Sequence, residues 1–250
     1  MDPAVVKGAA LAVWFASLFL LERLFRASPE RKGPGRLARN ASLWVLTLVL
    51  SPLFVLPLAL WADGHHLWTR PEILTGAAGL ALSLLALDLW TYWIHRAYHE
   101  VPAMWRLHAP HHLDEHLDTT SAVRFHVGEI AFSALLRLIP ILALSIPFTH
   151  LVIYETVLAA SSFFHHSNVR LPARLESALS KIIVTPSIHW VHHHAKRADT
   201  DSNYASILSL WDPVFRTRSA TKRTPEMKIG VEGVEEKTFL GLLLSPFQRM

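Results

Sequence analysis

The chain contains no cysteine, and that one absence removes disulfides and thiolate metal sites together. Any metal it binds must be held by nitrogen and oxygen. Charge is also scarce: 18% of the 250 residues are Asp, Glu, Lys or Arg, which is low for a soluble domain of this length. The formal net charge of +4 is spread over several segments without an interleaved basic pattern, which argues against a nucleic-acid partner. The 10 glycines form no G-x-G-x-x-G, so no dinucleotide fingerprint is present; "GPG" at 33–35 lies in a basic loop. What the chain has instead is apolar bulk. Hydrophobic residues make up 51% and Trp occurs 9 times, the composition of an integral membrane protein.

Five stretches approach the roughly 20 apolar residues that cross a bilayer: 4–21, 42–61, 73–93, 130–145 and 148–164. The second carries Pro52 and Pro57, which predict a kink. The last two are shorter, turn near Pro147, and either cross or dip in as a hairpin. The run from Ala9 to Leu21 leads into "ERLFR" without a small-residue cleavage site and does not read as a removable leader. Arg23, Arg26, Arg31, Lys32, Arg36 and Arg39 follow the first stretch, whereas the loop 62–72 offers only Arg70. The positive-inside rule therefore puts the first loop in the cytoplasm and the second outside. The expected fold is an all-α integral membrane protein forming a single domain. Four or five membrane-embedded helices would support a cytoplasmic helical cap.

That cap would hold most of the 16 histidines, which fall into tight bundles. "HRAYH" sets His95 and His99 four apart, on one face of a helix leaving the third stretch. "HAPHH" sets His108, His111 and His112 at i, i+3 and i+4, with Pro110 expected in the first helical turn. "HWVHH" repeats this spacing with His189, His192 and His193. Eight imidazoles exceed what one tetrahedral ion takes; the count suits two ions of a metal that accepts nitrogen ligands and higher coordination. "FFHHSN" ends an apolar stretch on the same side, and His166 of that pair is the expected additional ligand. Metal-bound histidines usually give their second N–H to a carboxylate or carbonyl. Asp88, seven residues before His95 on the same helical face, is the expected outer partner of His95 or His99. The plainer alternative is a helix-end aspartate facing headgroups. Asp201 and Asn203 in "TDSNY" either orient the third bundle or cap a helix. Trp190 is expected to pack. "HLDEH", His112 to His116, also matches a zinc-protease pattern, but that reading leaves His95, His99, His189, His192 and His193 without work.

H-x3-H, H-x2-HH and a late H-x2-HH on a multi-span chain resemble the fatty acid hydroxylase/sterol desaturase superfamily. "DLWTYWIHRAYHEVPAMWRLHAPHH" is similar to that family's first half-site. "TTSAVRFHVGE" resembles its R-x-H-P-x-E segment, carried by Arg124, His126 and Glu129, which gives His126 a supporting place. There Arg124 and Glu129 are read either as an ion pair bracing His126 or as headgroup contacts. "FFHHSNVRLP" and "VTPSIHWVHHHAKRADTDSNYASILSLWDPVFRT" complete a likeness over 87–217. The chain departs from the pattern at Val127, where proline is typical, and at Ala205 and Arg216, where glycine is. The resemblance implies O2-dependent hydroxylation or desaturation of a lipid at a non-haem di-iron centre, with electrons from a separate protein or reductant. A membrane metal transporter or metal-binding protein is the other class these residues allow. The Ala- and Arg-rich composition points to a bacterial inner membrane, with the centre facing the cytoplasm.

Overall fold

A computed structural model describes residues 3–29, 35–74 and 76–248; Arg31, Lys32 and the start of "GPG" lie outside the described residues. Among those described the secondary structure is helical, with isolated β-bridges and no strands. Among the described residues twelve α-helices run in order: α1 Pro3–Leu24, α2 Arg36–Leu50, α3 Val55–Asp63, α4 Ala77–Glu100, α5 Pro102–His112, α6 Val127–Ala143, α7 Phe148–His166, α8 Ala173–Leu179, α9 Pro186–His192, α10 Arg197–Thr200, α11 Trp211–Val214 and α12 Phe239–Leu244.

Among the described residues three helical stretches are long and apolar enough to cross a membrane: Val5–Leu24, Arg36–Asp63 and Ala77–Glu100. The first two have 11% of their span buried against 28% for the third, so α4 is the central helix and α1–α3 are peripheral. Their outward residues, such as Val13, Leu20, Leu48 and Val49, are exposed and apolar, as a lipid-facing surface requires. The kink expected from Pro52 is a 3-10 turn at Ser51–Leu53 that separates α2 from α3; proline at the start of that turn gives up an N–H that has no helical partner there. The expected stretch 73–93 begins later, at Ala77, and runs unbroken to Glu100, so His95 and His99 belong to the same rigid helix as the apolar part.

α6 and α7 both pack on α4. Their turn is anchored to the loop between α3 and α4: Trp68 Nε1 donates to Ala143 O at 3.0 Å, Ser145 Oγ donates to Trp68 O at 2.8 Å, and Phe148 N donates to Asp63 Oδ1 at 2.9 Å. Leu87, Ile141, Ile146, Leu151 and Tyr154 close a buried apolar cluster at that end.

At the opposite end, the C-termini of α1, α4 and α7 meet the N-termini of α2 and α6. Glu22, at the end of α1, accepts from Thr119 N at 2.9 Å and from Asn168 N at 3.0 Å. Arg36, opening α2, is clamped by Asp114 at 2.6 and 2.8 Å and by Asp118 at 2.7 Å. Burial by itself raises the Asp114 carboxyl, but the Arg36 and Arg124 guanidiniums, with hydrogen bonds from Arg36 and Ser121, outweigh it and hold it well below the usual carboxylate range. A buried charge survives only when paired in this way.

Candidate metal centre

The helix carrying the second bundle starts earlier than its spacing suggests. Pro102 occupies the first helical position of α5 after an extended Val101, where its missing N–H costs nothing. Pro110 therefore lies in the last turn rather than the first. The third bundle follows the same plan, with Pro186 opening α9 after an extended Thr185.

All nine imidazoles expected as ligands converge, and they sort into two abutting groups. His95, His99, His108, His112 and His192 form one; His111, His166, His189 and His193 form the other, with candidate donor atoms within 4.8 Å of one another in each group. The bundles are shared between the groups. The second gives His108 and His112 to the first group and His111 to the other; the third gives His192 to the first group and His189 and His193 to the other. At about 100° per residue, i+3 lies about 60° to one side of i and i+4 about 40° to the other, so the two diverge by about 100°. The H-x2-HH spacing is thus what lets one helix turn serve two sites. The groups touch through His112 and His193, whose rings stack at 4.2 Å.

Burial drives His108 down to about 3, and burial with neighbouring imidazoles drives His111, His112, His189, His192 and His193 well below the ordinary value. These rings are neutral at pH 7, the state a metal ligand needs. Carbonyls and a carboxylate then fix which nitrogen keeps the proton. His95 Nδ1 donates to Tyr204 O at 2.7 Å, His192 Nδ1 to Ser202 O at 2.7 Å, His111 Nδ1 to Arg124 O at 3.2 Å, His166 Nδ1 to Ser162 O at 2.8 Å, and His108 Nδ1 to Glu129 Oε1 at 2.8 Å.

A neutral imidazole that donates from Nδ1 has only a lone pair at Nε2. Yet His95 and His192 bring these Nε2 atoms to 3.1 Å, and so do His111 and His166. Two lone pairs face each other in both cases, a repulsive contact unless a cation lies between. The remaining Nε2 contacts, His108 to His112, His166 to His189 and His189 to His193, are 3.0–3.1 Å. With metal–nitrogen bonds of about 2.1 Å, ligands at right angles stand about 3.0 Å apart and tetrahedral ones about 3.4 Å. The donor set therefore fits a metal of five- or six-fold coordination at each group.

The expected supporting residues divide. Asp201 Oδ1 stands 3.5 Å from His99 Nδ1 while its other oxygen holds Arg197 at 2.6 Å. Asn203 donates to Ile188 O at 3.3 Å, beside His189, and accepts from Ser219 N at 3.1 Å. Its φ of 53° is a left-handed conformation that asparagine tolerates. Asp88 is a correction: its carboxylate accepts from Leu208 N at 3.1 Å and Trp211 Nε1 at 2.8 Å, not from His95 or His99. Two helical turns separate it from His95, so it ties α4 to the tail instead. His126 is also corrected. Its Nδ1 caps α6 by accepting from Gly128 N at 3.0 Å, and its Nε2 lies 3.2 Å from Leu243 O. Arg124 and Glu129 do not pair: Arg124 holds Pro110 O, Asn40 and Glu236, while Glu129 holds His108. Trp190 is buried and packs under Arg223. His194 donates to Asp199 at 2.8 Å, away from both groups, and "HLDEH" leaves the helix after His112. His165 is buried against His189, with ring centroids 4.0 Å apart. Glu129 as the partner of His108 was legible only as part of a motif, and the carbonyls of Ser202 and Tyr204 leave no side-chain signal at all.

A cavity of about 460 Å³ opens onto this centre. His95, His108, His111, His165, His166 and His189 line one end, and residues of α2, α4, α6 and α7, including Trp44, Trp90, Ile130, Ala134 and Leu158, line the remainder.

The fatty acid hydroxylase family model matches residues 80–217, the region that carries every histidine of both groups. Over 198 residues the chain is 30% identical to an ornithine lipid hydroxylase of Rhizobium tropici, covering 79% of this chain and 59% of that protein. It is 32% identical over 230 residues to the alkylglycerol monooxygenase of Homo sapiens, covering 87% and 48% respectively. It is 29% identical over 192 residues to a very-long-chain aldehyde decarbonylase of Oryza sativa subsp. indica, covering 72% and 30%. The chain thus spans about half the length of the first two relatives. No solved structure matches.

Proposed function

The chain belongs to the fatty acid hydroxylase family, and from that premise we propose that it is a membrane-bound non-haem di-iron oxygenase that hydroxylates a lipid with O2. His95, His99, His108, His112 and His192 would hold one iron, and His111, His166, His189 and His193 the other. The observation that carries this reading is the pair of opposed lone-pair contacts, His95 with His192 and His111 with His166, in two adjoining nitrogen-only groups. Hydroxylation is favoured over desaturation because two relatives that align with most of this chain bear the names hydroxylase and monooxygenase. A metal transporter would place its ligands near the midplane of the bilayer, whereas these groups sit where helix ends meet.

Bound iron would supply activation of O2 for attack on a C–H bond, chemistry that side chains lack. The chain's own residues do the remaining work. Glu129, Arg124 O, Ser162 O, Ser202 O and Tyr204 O orient five imidazoles, and Asp201 and Asn203 steady the third bundle. His112, His192 and His193 are fully buried, which keeps bulk water from the centre. The mainly apolar cavity accepts a lipid sideways from the bilayer and presents its C–H to the histidine end.

The helical stretches would form one membrane domain of four or five membrane-embedded helices, with 87–217 as its catalytic region. The alternation of helix ends at the histidine layer supports this topology. The basic composition of the segment after α1 supports a cytoplasmic side for that layer, and a bacterial inner membrane suits the composition. Electrons would come from a separate protein or reductant on the aqueous side. The test compares lipid extracts from cells expressing wild-type protein and His189→Ala under isotopically labelled O2. Wild-type cells should show a lipid with one labelled oxygen that the variant lacks; unlabelled or identical extracts would refute the reading.

A further inference from the structure

A charged pair in the middle of two apolar helices needs a reason, because a charge in a membrane interior is costly and is retained mainly where it faces a cavity or a ligand. Arg137 on α6 and Glu155 on α7 form such a pair. Both line the cavity that reaches the histidines. Their side chains keep 17% and 33% of their surface open. Among the described residues, the bond from Arg137 Nη1 to Glu155 Oε1 is the only hydrogen bond either side chain makes. A guanidinium has five N–H donors, so donors on Arg137 and an oxygen of Glu155 are left to face the cavity together.

Their position relative to the centre is fixed by helix geometry. Arg137 lies eight residues beyond Glu129, the partner of His108, or about 12 Å along α6. Glu155 lies eleven residues before His166, or roughly 16 Å along α7. Between the two ends the cavity wall is mainly apolar, including Ile94, Ile130, Ala134 and Leu158. Tyr98 and Ser133, also in the wall, are already satisfied by each other at 2.9 Å. An unfunctionalised hydrocarbon would leave the open donors and acceptor at the far end without partners, and unpaired polar groups of this kind are penalised.

We propose that Arg137 and Glu155 form the recognition end of the substrate site. They take a neutral group that both donates and accepts a hydrogen bond, a secondary amide or a hydroxyl, carried by the lipid roughly 12–16 Å from the C–H presented to the histidines. The substrate class is therefore a chain with a polar group within it, and the pair selects both the lipid and the carbon attacked. The proposal rests on the oxygenase reading above, and binding can be measured apart from turnover.

Trp44 and Trp90 line the same cavity, so their fluorescence reports its occupancy. Purified iron-loaded protein in detergent would be titrated with a straight-chain alkane and with the same chain carrying a mid-chain secondary amide. The proteins compared are wild type, Arg137→Leu/Glu155→Leu and the exchange Arg137→Glu/Glu155→Arg. Replacing an ion pair with apolar residues is commonly neutral for folding, and the exchange keeps the pair's chemistry. Wild type should prefer the amide chain by about tenfold or more; the double leucine variant should lose the preference and the exchange should keep it. A pair that only joined α6 to α7 would not alter the order of ligands. Equal binding by wild type, or a preference that survives in the double leucine variant, overturns the proposal. Iron analysis of the same samples separates the two readings. Two irons without a ligand preference sink this inference alone, and a wild-type protein that takes up no iron sinks the oxygenase reading.

Discussion

The two histidine groups share the second and third bundles but are not equivalent. One has five imidazoles and the firmer outer bracing: His108 on the Glu129 carboxylate, His99 facing Asp201, and His95 and His192 on short carbonyl bonds of 2.7 Å. The other has four. Its His111 rests on a longer contact of 3.2 Å, and the Nδ1 atoms of His189 and His193, like those of His99 and His112 in the first group, are buried without a hydrogen-bond partner. The four-membered group also gives three of its histidines, His111, His166 and His189, to the cavity wall, whereas the five-membered group gives only His95 and His108. A fuller, better-braced site holds a metal in place, and a less crowded one beside the cavity leaves room for a co-substrate. The difference would suit the first group to holding a metal and the second to the reacting one.

Neighbouring residues test this division most strongly. His111 and His112 are adjacent on α5 yet serve different groups, so His111→Ala should strip the four-membered site and leave about one iron per chain. His112→Ala leaves four imidazoles behind and should keep more iron than His111→Ala while still losing product. Elemental analysis and product assay of the two variants decide it; equal iron loss would erase the distinction. A support beneath both groups should fail differently. Arg36→Leu leaves Asp114 and Asp118 buried without the guanidinium that pairs them, a loss of about 3–5 kcal/mol. Because it loosens the end of α5, it should cost both irons together, seen as a lower chemical-denaturation midpoint with parallel loss of metal.

A gentler change acts on one side alone. Glu129→Gln weakens the brace on His108 and should reduce metal affinity of the five-membered site by about 10–100-fold, leaving the other unchanged in chelator competition. Loss from both sites would mean that they are one cooperative unit. The smallest effect is expected at Arg216, which has φ 59° where a typical family member has glycine. A left-handed conformation costs a non-glycine residue about 1–2 kcal/mol. Arg216→Gly should therefore raise the stability of the tail that carries Ser202 and Tyr204 by about 1 kcal/mol, with iron content unchanged.

The nine converging histidines were legible because their chemistry and helical spacing are both local. The sharing of the second and third bundles between two groups follows from the angle between i+3 and i+4, yet it becomes visible only when α5 and α9 face one another. Asp88 was misread because a common helical face does not imply contact: seven residues are about 10 Å of rise. The brace on His95 and His192 was hidden because a backbone carbonyl has no residue type. Arg36 read as one more basic loop residue, although Asp114 and Asp118 fold back over it. Val127 shows the converse. It occupies the first position of α6, where proline gives up an unneeded N–H, so the family's proline and this valine both fit.

The most direct test is anomalous scattering at the iron edge from crystals of iron-loaded protein. Two peaks are expected, one enclosed by His95, His99, His108, His112 and His192, the other by His111, His166, His189 and His193. A single peak, or peaks outside these groups, would contradict a binuclear centre shared by all three bundles.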